Sequence, residues 1–285
     1  MQTLTQWIAG GTYLTDGSGH EIFVRQDGPA DGAPVTLVHG FPTSSHDWFA
    51  VVPALAAAGM RVTMLDLLGF GASDKPISHS YKLVEQADLV ERVWKEFGID
   101  DTALVCHDYG VSVGQELLAR QPGRITRMAW LNGGLYPDLH RPIPIQKLLH
   151  SPVGRVISLL SSERMFKISL RSILGKPVSD EVLHEMWSAV SLGGGRFVQW
   201  QLLRYIDERR EHAERWRRAL EEYPGPALFV WGPVDPISGG HVLERLRDRL
   251  PGATFEVLDG TGHYPQIEAP EAVCRALSGF LAPRL

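Results

Sequence analysis

The sequence predicts an α/β domain: a mostly parallel β-sheet with helices on both faces and one helical insertion. Three observations predict it. Short β-branched runs alternate with longer helical stretches along most of the chain. Turn residues, chiefly Gly, Pro and Asp, separate the two kinds of segment. Between residues 137 and 224 the rhythm stops, and helix-like segments bearing Arg, Glu, Leu and Trp take over with no clear apolar strand. The expected organisation is therefore a core domain from residues 1–136 and 225–285, with residues 137–224 as a helical cap.

The elements follow in order. Residues 21–26 read as a strand after the Asp16-Gly17-Ser18-Gly19 turn. Residues 34–39 (PVTLVH) form a short apolar run ending at glycine, which suits a strand buried on both faces. Residues 45–59 read as a helix, 61–67 as a strand, and 81–98 as a helix ended by glycine. A strand over 102–106, a helix over 109–120 and a strand over 125–131 continue the pattern. After the insertion come strands at 227–231 and 254–258, and helices at 240–250 and 270–281. An insertion at the carboxyl edge of such a sheet lies over the place where ligands bind. Its Trp187, Phe197, Trp200, Tyr205 and Trp216 are candidates to line a pocket, or else form the small core of the insertion.

Composition narrows the function. The chain has 285 residues, 44% hydrophobic and 21% charged, which excludes a disordered protein. Its 28 Lys+Arg against 33 Asp+Glu give a net charge of -5, without the basic excess of a nucleic-acid binder. Two cysteines, Cys106 and Cys274, exclude a disulfide scaffold and a Cys-based zinc site, and they fit a reducing compartment. No apolar stretch approaches the roughly 18 residues of a membrane span. The first ten residues lack the basic-then-apolar pattern of a secretory leader, so a cytoplasmic protein is expected. No H-E-x-x-H, Cys/His cluster or strand-linked G-x-G-x-x-G is present, so neither a metal nor a dinucleotide cofactor is expected.

Four segments carry chemistry. In Cys106-His107-Asp108-Tyr109-Gly110 a strand runs into a sharp turn and then a helix. This is the spacing of a nucleophile elbow, with Asp108 where serine usually stands. An Asp before a helix is also an ordinary N-cap, so this segment alone leaves both roles open. His39-Gly40-Phe41-Pro42 follows the strand at 34–39, where the backbone N–H of Phe41 can join that of Tyr109 in an oxyanion hole. Asp235, in Trp231-Gly-Pro-Val-Asp-Pro236, offers an orienting acid after a late strand. His263, in Gly260-Thr-Gly-His-Tyr-Pro265, offers a base after the last one. The chain order nucleophile, acid, base is that of α/β-hydrolases.

The choice of aspartate selects the reaction. Serine attacking a saturated carbon would leave an ether, whereas a carboxylate leaves an ester that water can cleave. A carboxylate is also already ionised near neutrality and needs no base for the first attack. His263, held in tautomer by Asp235, is then free to activate water.

The chain resembles the Asp-nucleophile branch of the α/β-hydrolases, which contains epoxide hydrolases and haloalkane dehalogenases. More narrowly it is similar to the mesoderm-specific transcript group. The resemblance rests on His39-Gly-Phe-Pro-Thr-Ser-Ser45, Leu68-Gly-Phe-Gly71 with Ser73-Asp-Lys-Pro76, and His107-Asp-Tyr-Gly110. It also rests on Asn132-Gly-Gly134 with His140-Arg-Pro142 and on His263-Tyr-Pro-Gln266. It implies an eight-stranded sheet, a small hydrophobic organic substrate and water as the reactants, and no cofactor. Dehalogenases of the branch hold the halide with a Trp beside the nucleophile and a second Trp or Asn donor. Here those positions are Tyr109 and Phe41. Epoxide hydrolases activate the ring oxygen with Tyr from the cap, which Tyr205 matches; Tyr136 and Tyr109 are further candidates for that hydroxyl. Epoxide hydrolysis is the expected activity, carbon–halogen hydrolysis the alternative, and a non-enzymatic ligand-binding member of the fold the third reading.

Overall fold

A computed structural model of the chain describes residues 1–282; the last three residues of the expected core range lie outside the described ones. Eight strands form one sheet: β1 (Thr12–Thr15), β2 (Glu21–Asp27), β3 (Ala33–Val38), β4 (Met60–Leu65), β5 (Thr102–His107), β6 (Ile125–Leu131), β7 (Ala227–Trp231) and β8 (Thr254–Val257). Their order is β1-β2-β4-β3-β5-β6-β7-β8. The β1–β2 and β2–β4 pairs are antiparallel, and every other pair is parallel.

The central strands are buried on both faces, and their side chains alternate between two cores. On β5, Leu104 and Cys106 enter one core while Ala103 and Val105 enter the other. On β6, Met128 and Trp130 oppose Ala129 and Leu131 in the same way. This period of two explains why these strands read as continuous apolar runs.

Helices α1 (Leu4–Ala9), α2 (Val52–Ala57), α3 (Leu83–Glu96) and α4 (Tyr109–Arg120) accompany the first half of the sheet. Residues 45–59 do not form the single helix expected. Ser45–Trp48 is a 3-10 turn capped by the Ser44 side chain, and α2 starts afresh with Pro53 in its first turn. Proline has no N–H to continue a helix from upstream, so the break falls there. Helix α1 and strand β1 have no counterpart in the expected elements. Strand β1 is a largely exposed edge whose TYLT sequence carries no buried face.

Between β6 and β7 lie α5 (Pro144–His150), α6 (Gly154–Leu160), α7 (Glu163–Arg171), α8 (Asp180–Ser191), α9 (Gln199–Leu202), α10 (Tyr205–Glu211) and α11 (Ala213–Glu221). After β7 come α12 (Gly240–Arg249), α13 (Pro265–Glu268) and α14 (Pro270–Leu281). Val273, Leu277 and Leu281 of α14 share one core with Val52 and Leu55 of α2. Helices α3, α4 and α12 pack into the other. The carboxyl ends of β3, β5, β6 and β7 thus open on the same edge of the sheet as the β6–β7 insertion. No helix of the described residues is long and apolar enough to cross a membrane.

Candidate active site

The bend between β5 and α4 is strained. Asp108 has φ 45° and ψ −108°, and only it and Tyr81 among the described non-glycine residues have positive φ. Such a backbone costs on the order of 1–3 kcal/mol and persists only where its surroundings hold it. Two glycines let those surroundings close in. A Cβ on Gly110 would stand 2.6 Å from the Val38 carbonyl oxygen, and one on Gly40 would stand 2.8 Å from the Asp108 Cβ. The Asp108 N–H donates to the Asn132 carbonyl at 2.9 Å, tying the bend to the end of β6.

The Asp108 carboxylate makes no hydrogen bond that caps α4. Its Oδ2 accepts from the Phe41 N–H at 3.0 Å, and its Oδ1 lies 3.4 Å from His263 Nε2. The Tyr109 N–H belongs to the first turn of α4, outside the helical hydrogen-bond ladder. Phe41, after β3, thus bonds one carboxylate oxygen, and Tyr109 opens α4 directly after Asp108.

On the far side of the imidazole, His263 Nδ1 is 2.7 Å from Asp235 Oδ2. That oxygen also accepts from Ser238 Oγ at 2.6 Å and Asn132 Nδ2 at 3.0 Å, while Asp235 Oδ1 accepts from the Ile237 N–H at 2.8 Å. Asn132 in turn holds the β7 exit, accepting from the Gly232 N–H and donating to the Gly232 carbonyl. Glu268 fixes the His263 loop by accepting from the N–H groups of Gly262 and Tyr264. Its Oε2 also takes the N–H groups of Gly175 and Lys176 from beyond α7.

Electrostatics follow from this geometry. Burial would raise the Asp235 carboxyl, but the His263 imidazole and the hydrogen bonds it accepts outweigh that and hold it at about 2. Burial works the same way on Asp108, and His263 again leaves it below the ordinary carboxylate range. For His263, burial opposes the charged form, and the two carboxylates, Asp235 foremost, more than reverse it and hold it well above its usual value. Each group's surroundings thus favour its charged form, two carboxylates with an imidazolium between them.

A cavity of about 110 Å³ opens beside it, with Asp108, Phe41, Pro42, Ile237 and His263 at its base. Its walls come from α5 to α8, including Ile145, Leu149, Ile157, Phe166, Leu170, Trp187 and Val190. The lining is predominantly apolar, and the volume is of the order of the 150 Å³ hydrocarbon cavity that holds benzene.

Of the expected substrate contacts, Trp187 stands in this wall and the others do not. The Tyr136 hydroxyl donates to Glu221 Oε1 at 3.2 Å, and its ring lies under Arg245. The Tyr109 hydroxyl reaches the Tyr81 carbonyl at 3.4 Å, directed to the start of α3. Trp200 is half-buried on α9, its backbone N–H donating to Ser158 Oγ. Tyr205 is buried with its ring 4.9 Å from that of Tyr109 and 6.3 Å from that of Phe41.

Arg209, which has no sequence signal, joins Tyr205, and His140 of the His140-Arg-Pro142 motif lies within the field of Arg209. Arg209, only 3% exposed, donates to the Gly134 carbonyl and has its guanidinium 5.8 Å from the Tyr205 ring centre. Among the described residues no carboxylate pairs with it. Arg209 lies in the run Asp207-Glu-Arg-Arg-Glu211, which reads as a solvated face. Both ring nitrogens of His140 are buried without a hydrogen-bond partner, and burial, reinforced by Arg209, lowers its imidazole to about 4.

Supporting residues fall where the motifs suggest. His107 turns from the cavity, with Nε2 on the His263 carbonyl and Nδ1 beside Gln266 Nε2. Asp66 accepts from the N–H groups of Ser45 and Ala72, bracing both loops that frame Phe41. Among the described residues no group of three or more His, Cys, Asp or Glu is placed to hold a metal ion.

Comparison with known proteins agrees with this architecture. Residues 33–153 match the family model for the alpha/beta hydrolase fold. LipZ of Mycobacterium tuberculosis is 38% identical over 286 residues, covering 98% of each chain. The mouse mesoderm-specific transcript protein is 38% identical over 98% of this chain and 88% of its own. A haloalkane dehalogenase of Mycolicibacterium paratuberculosis is 29% identical over 88% of this chain and 85% of its own. The crystal structure of haloalkane dehalogenase DbeA from Bradyrhizobium elkani superposes with a TM-score of 0.83 at 23% identity, covering 95% of this chain and 97% of that one. With an eight-stranded sheet of this order and such relatives along nearly its whole length, the chain belongs to the α/β-hydrolase family, in its dehalogenase- and mesoderm-specific-transcript-like group.

Proposed function

We propose that this protein hydrolyses a bond at saturated carbon through a covalent ester on Asp108, with epoxides as the substrate class and residues 137–224 serving as the cap. The observation that carries the reading is the Asp108 carboxylate at the cavity floor, 3.4 Å from His263 and bonded to the Phe41 N–H. One carboxylate oxygen attacks the epoxide carbon, a C–O bond forms, and the ring C–O bond breaks to give an alkoxide that takes up the proton His263 gives up. Alkylation removes the Asp108 charge that helps keep His263 protonated. The imidazole then falls toward its neutral form, ready to draw a proton from water. Water adds to the ester carbonyl, the oxyanion rests on the Phe41 and Tyr109 N–H groups, and collapse releases the diol and restores the carboxylate. Tyr205 and Arg209 stand outside the cavity wall, Tyr205 with its ring 6.3 Å from that of Phe41, so the proton for the departing oxygen comes from His263.

One observation favours a halide leaving group instead: Trp187 places an indole in the cavity wall, and relatives at 28–29% identity are haloalkane dehalogenases. The mechanism up to departure is the same. Two unpaired thiols, Cys106 and Cys274, support a reducing, cytoplasmic setting.

The test is a panel of short epoxides and haloalkanes against the wild type, Asp108→Ala and His263→Gln. His263→Gln is expected to accumulate the alkyl ester, seen as added mass on the intact protein, and Asp108→Ala to show none. In heavy-oxygen water, a single wild-type turnover should leave label in the peptide containing Asp108. Halide release separates the two leaving groups. If no member of the panel gives an adduct with His263→Gln, the reading fails.

A further inference from the structure

The helices that wall the cavity are apolar on their outer side as well. In α6, Ile157 and Ser158 face the cavity, while Val156, Leu159 and Leu160 are 52%, 50% and 66% exposed. A surface helix ordinarily shows the reverse, serine outward and leucine inward. Helix α7 continues the face with Ile168, 60% exposed, and Phe197 sits beside the α6–α7 corner, where Arg196 reaches the Ser161 carbonyl. Thirteen large hydrophobic residues are exposed among the described ones, and all but Met1, Tyr13, Ile77 and Val234 lie between residues 148 and 197. So dense a patch marks an interaction surface rather than ordinary scatter.

Charge says what covers it. Residues 144–176 contain Lys147, Arg155, Arg164, Lys167, Arg171 and Lys176 against the single acid Glu163. Six cations less one anion make this stretch, from α5 to just short of α8, +5 on a chain of net charge -5, and the acids Asp180, Glu181 and Glu185 belong to α8. Lys167 pairs with Glu163 and Arg171 with Asp180 of α8. Among the described residues Lys147, Arg155, Arg164 and Lys176 have no carboxylate partner. Exposed Arg155 and Arg164 directly adjoin Val156 and Met165. A second copy of the chain would bring two cationic faces together, which they resist. An anionic lipid surface takes the aliphatic side chains into its acyl boundary and the cations among its headgroups.

We propose that the outer face of α6 and α7 docks on an anionic membrane surface, with both helices lying in the plane of the interface. At seven and nine residues they are far too short to span a bilayer. The cavity lies on the inner side of the same helices, so an apolar substrate enters it from the lipid phase; this last point alone rests on the proposed hydrolysis.

The experiment is co-sedimentation of the full chain with vesicles of phosphatidylcholine, with and without phosphatidylglycerol. Binding is expected to the phosphatidylglycerol vesicles and not to pure phosphatidylcholine, and to weaken with salt. Leu160→Glu with Ile168→Glu, and separately Arg155→Glu with Arg164→Glu, should each lower binding at least tenfold while far-UV circular dichroism stays unchanged. Asp108→Ala should bind like the wild type, so failure of the proposed chemistry leaves this result standing. The proposal is overturned by absent binding, by equal binding to both vesicle types, or by variants that bind as well as the wild type. It is also overturned if sedimentation of the free protein shows a dimer that Leu160→Glu abolishes, which would make the face a self-interface.

Discussion

Asp235 owes its lowered pKa to neighbours rather than to exposure. Three groups share its Oδ2: the imidazole of His263, the hydroxyl of Ser238 and the amide of Asn132. Asn132 is the least replaceable of them, because the same side chain also satisfies both backbone polar groups of Gly232. Asn132→Asp keeps the shape and an acceptor for the Gly232 N–H. It removes the donor and sets a second carboxyl about 3 Å from Asp235, so one of the two must hold a proton. The loss of stability should be about 2–3 kcal/mol, from the cost of holding that proton at neutral pH and from an unsatisfied Gly232 carbonyl. Urea denaturation at neutral pH measures it, and a midpoint equal to wild type would show that the amide donor is not needed. In the sequence, Asp108, Asp235 and His263 stand out because each sits at a strand end in the family's chain order. Asn132 stands at a strand end too, but an Asn before two glycines looks like any turn.

At the scale of elements, the β5–α4 bend was the most readable part of the chain. Its determinants are local: a buried run, a small residue, Asp108 and Gly110 within five positions. Gly110→Ala tests how tightly α4 must approach β3. A methyl group would meet the Val38 and His39 carbonyl oxygens at 2.6 and 2.7 Å, and backbone atoms cannot yield as a flexible side chain does. The expected cost is about 1–3 kcal/mol or more, with a larger fractional loss of turnover than of folding, because Asp108 shifts with the helix. Thermal melting and single-turnover ester formation on the same preparation separate the two effects; an unchanged melting temperature would mean that α4 can slide freely. The insertion was readable as helical but not as to which side chains meet the substrate. Facing depends on how α5 to α11 cross one another, and sequence periodicity does not report crossing. Tyr136 illustrates this, since its hydroxyl partner, Glu221, lies 85 positions away. Helix α6 is the harder case, because its apolar stripe reads as a core-facing one and in fact points out.

Across the whole molecule, the buried triad makes stability depend on pH from both sides. A carboxyl whose folded value is depressed contributes stability above its unfolded value, about 4, and loses it as pH falls through the folded value. For Asp235 that loss spans roughly pH 4 down to about 2. An imidazole whose folded value is raised contributes fully below its unfolded value, about 6.5, and loses the contribution as pH rises through the folded one. For His263 the loss therefore lies on the alkaline side, well above neutrality's usual histidine range. The Asp235–His263 pair is whole only between these limits. Asp235→Asn should thus be most destabilising near pH 5–7, by about 2 kcal/mol from the carboxyl alone. The gap between variant and wild type should narrow toward pH 2, and narrow again at alkaline pH. Denaturant melts of both proteins across that range give the difference curve. A gap that stays constant with pH would mean that Asp235 acts on stability through packing and neutral hydrogen bonds, and that the imidazole beside it is not charged at rest.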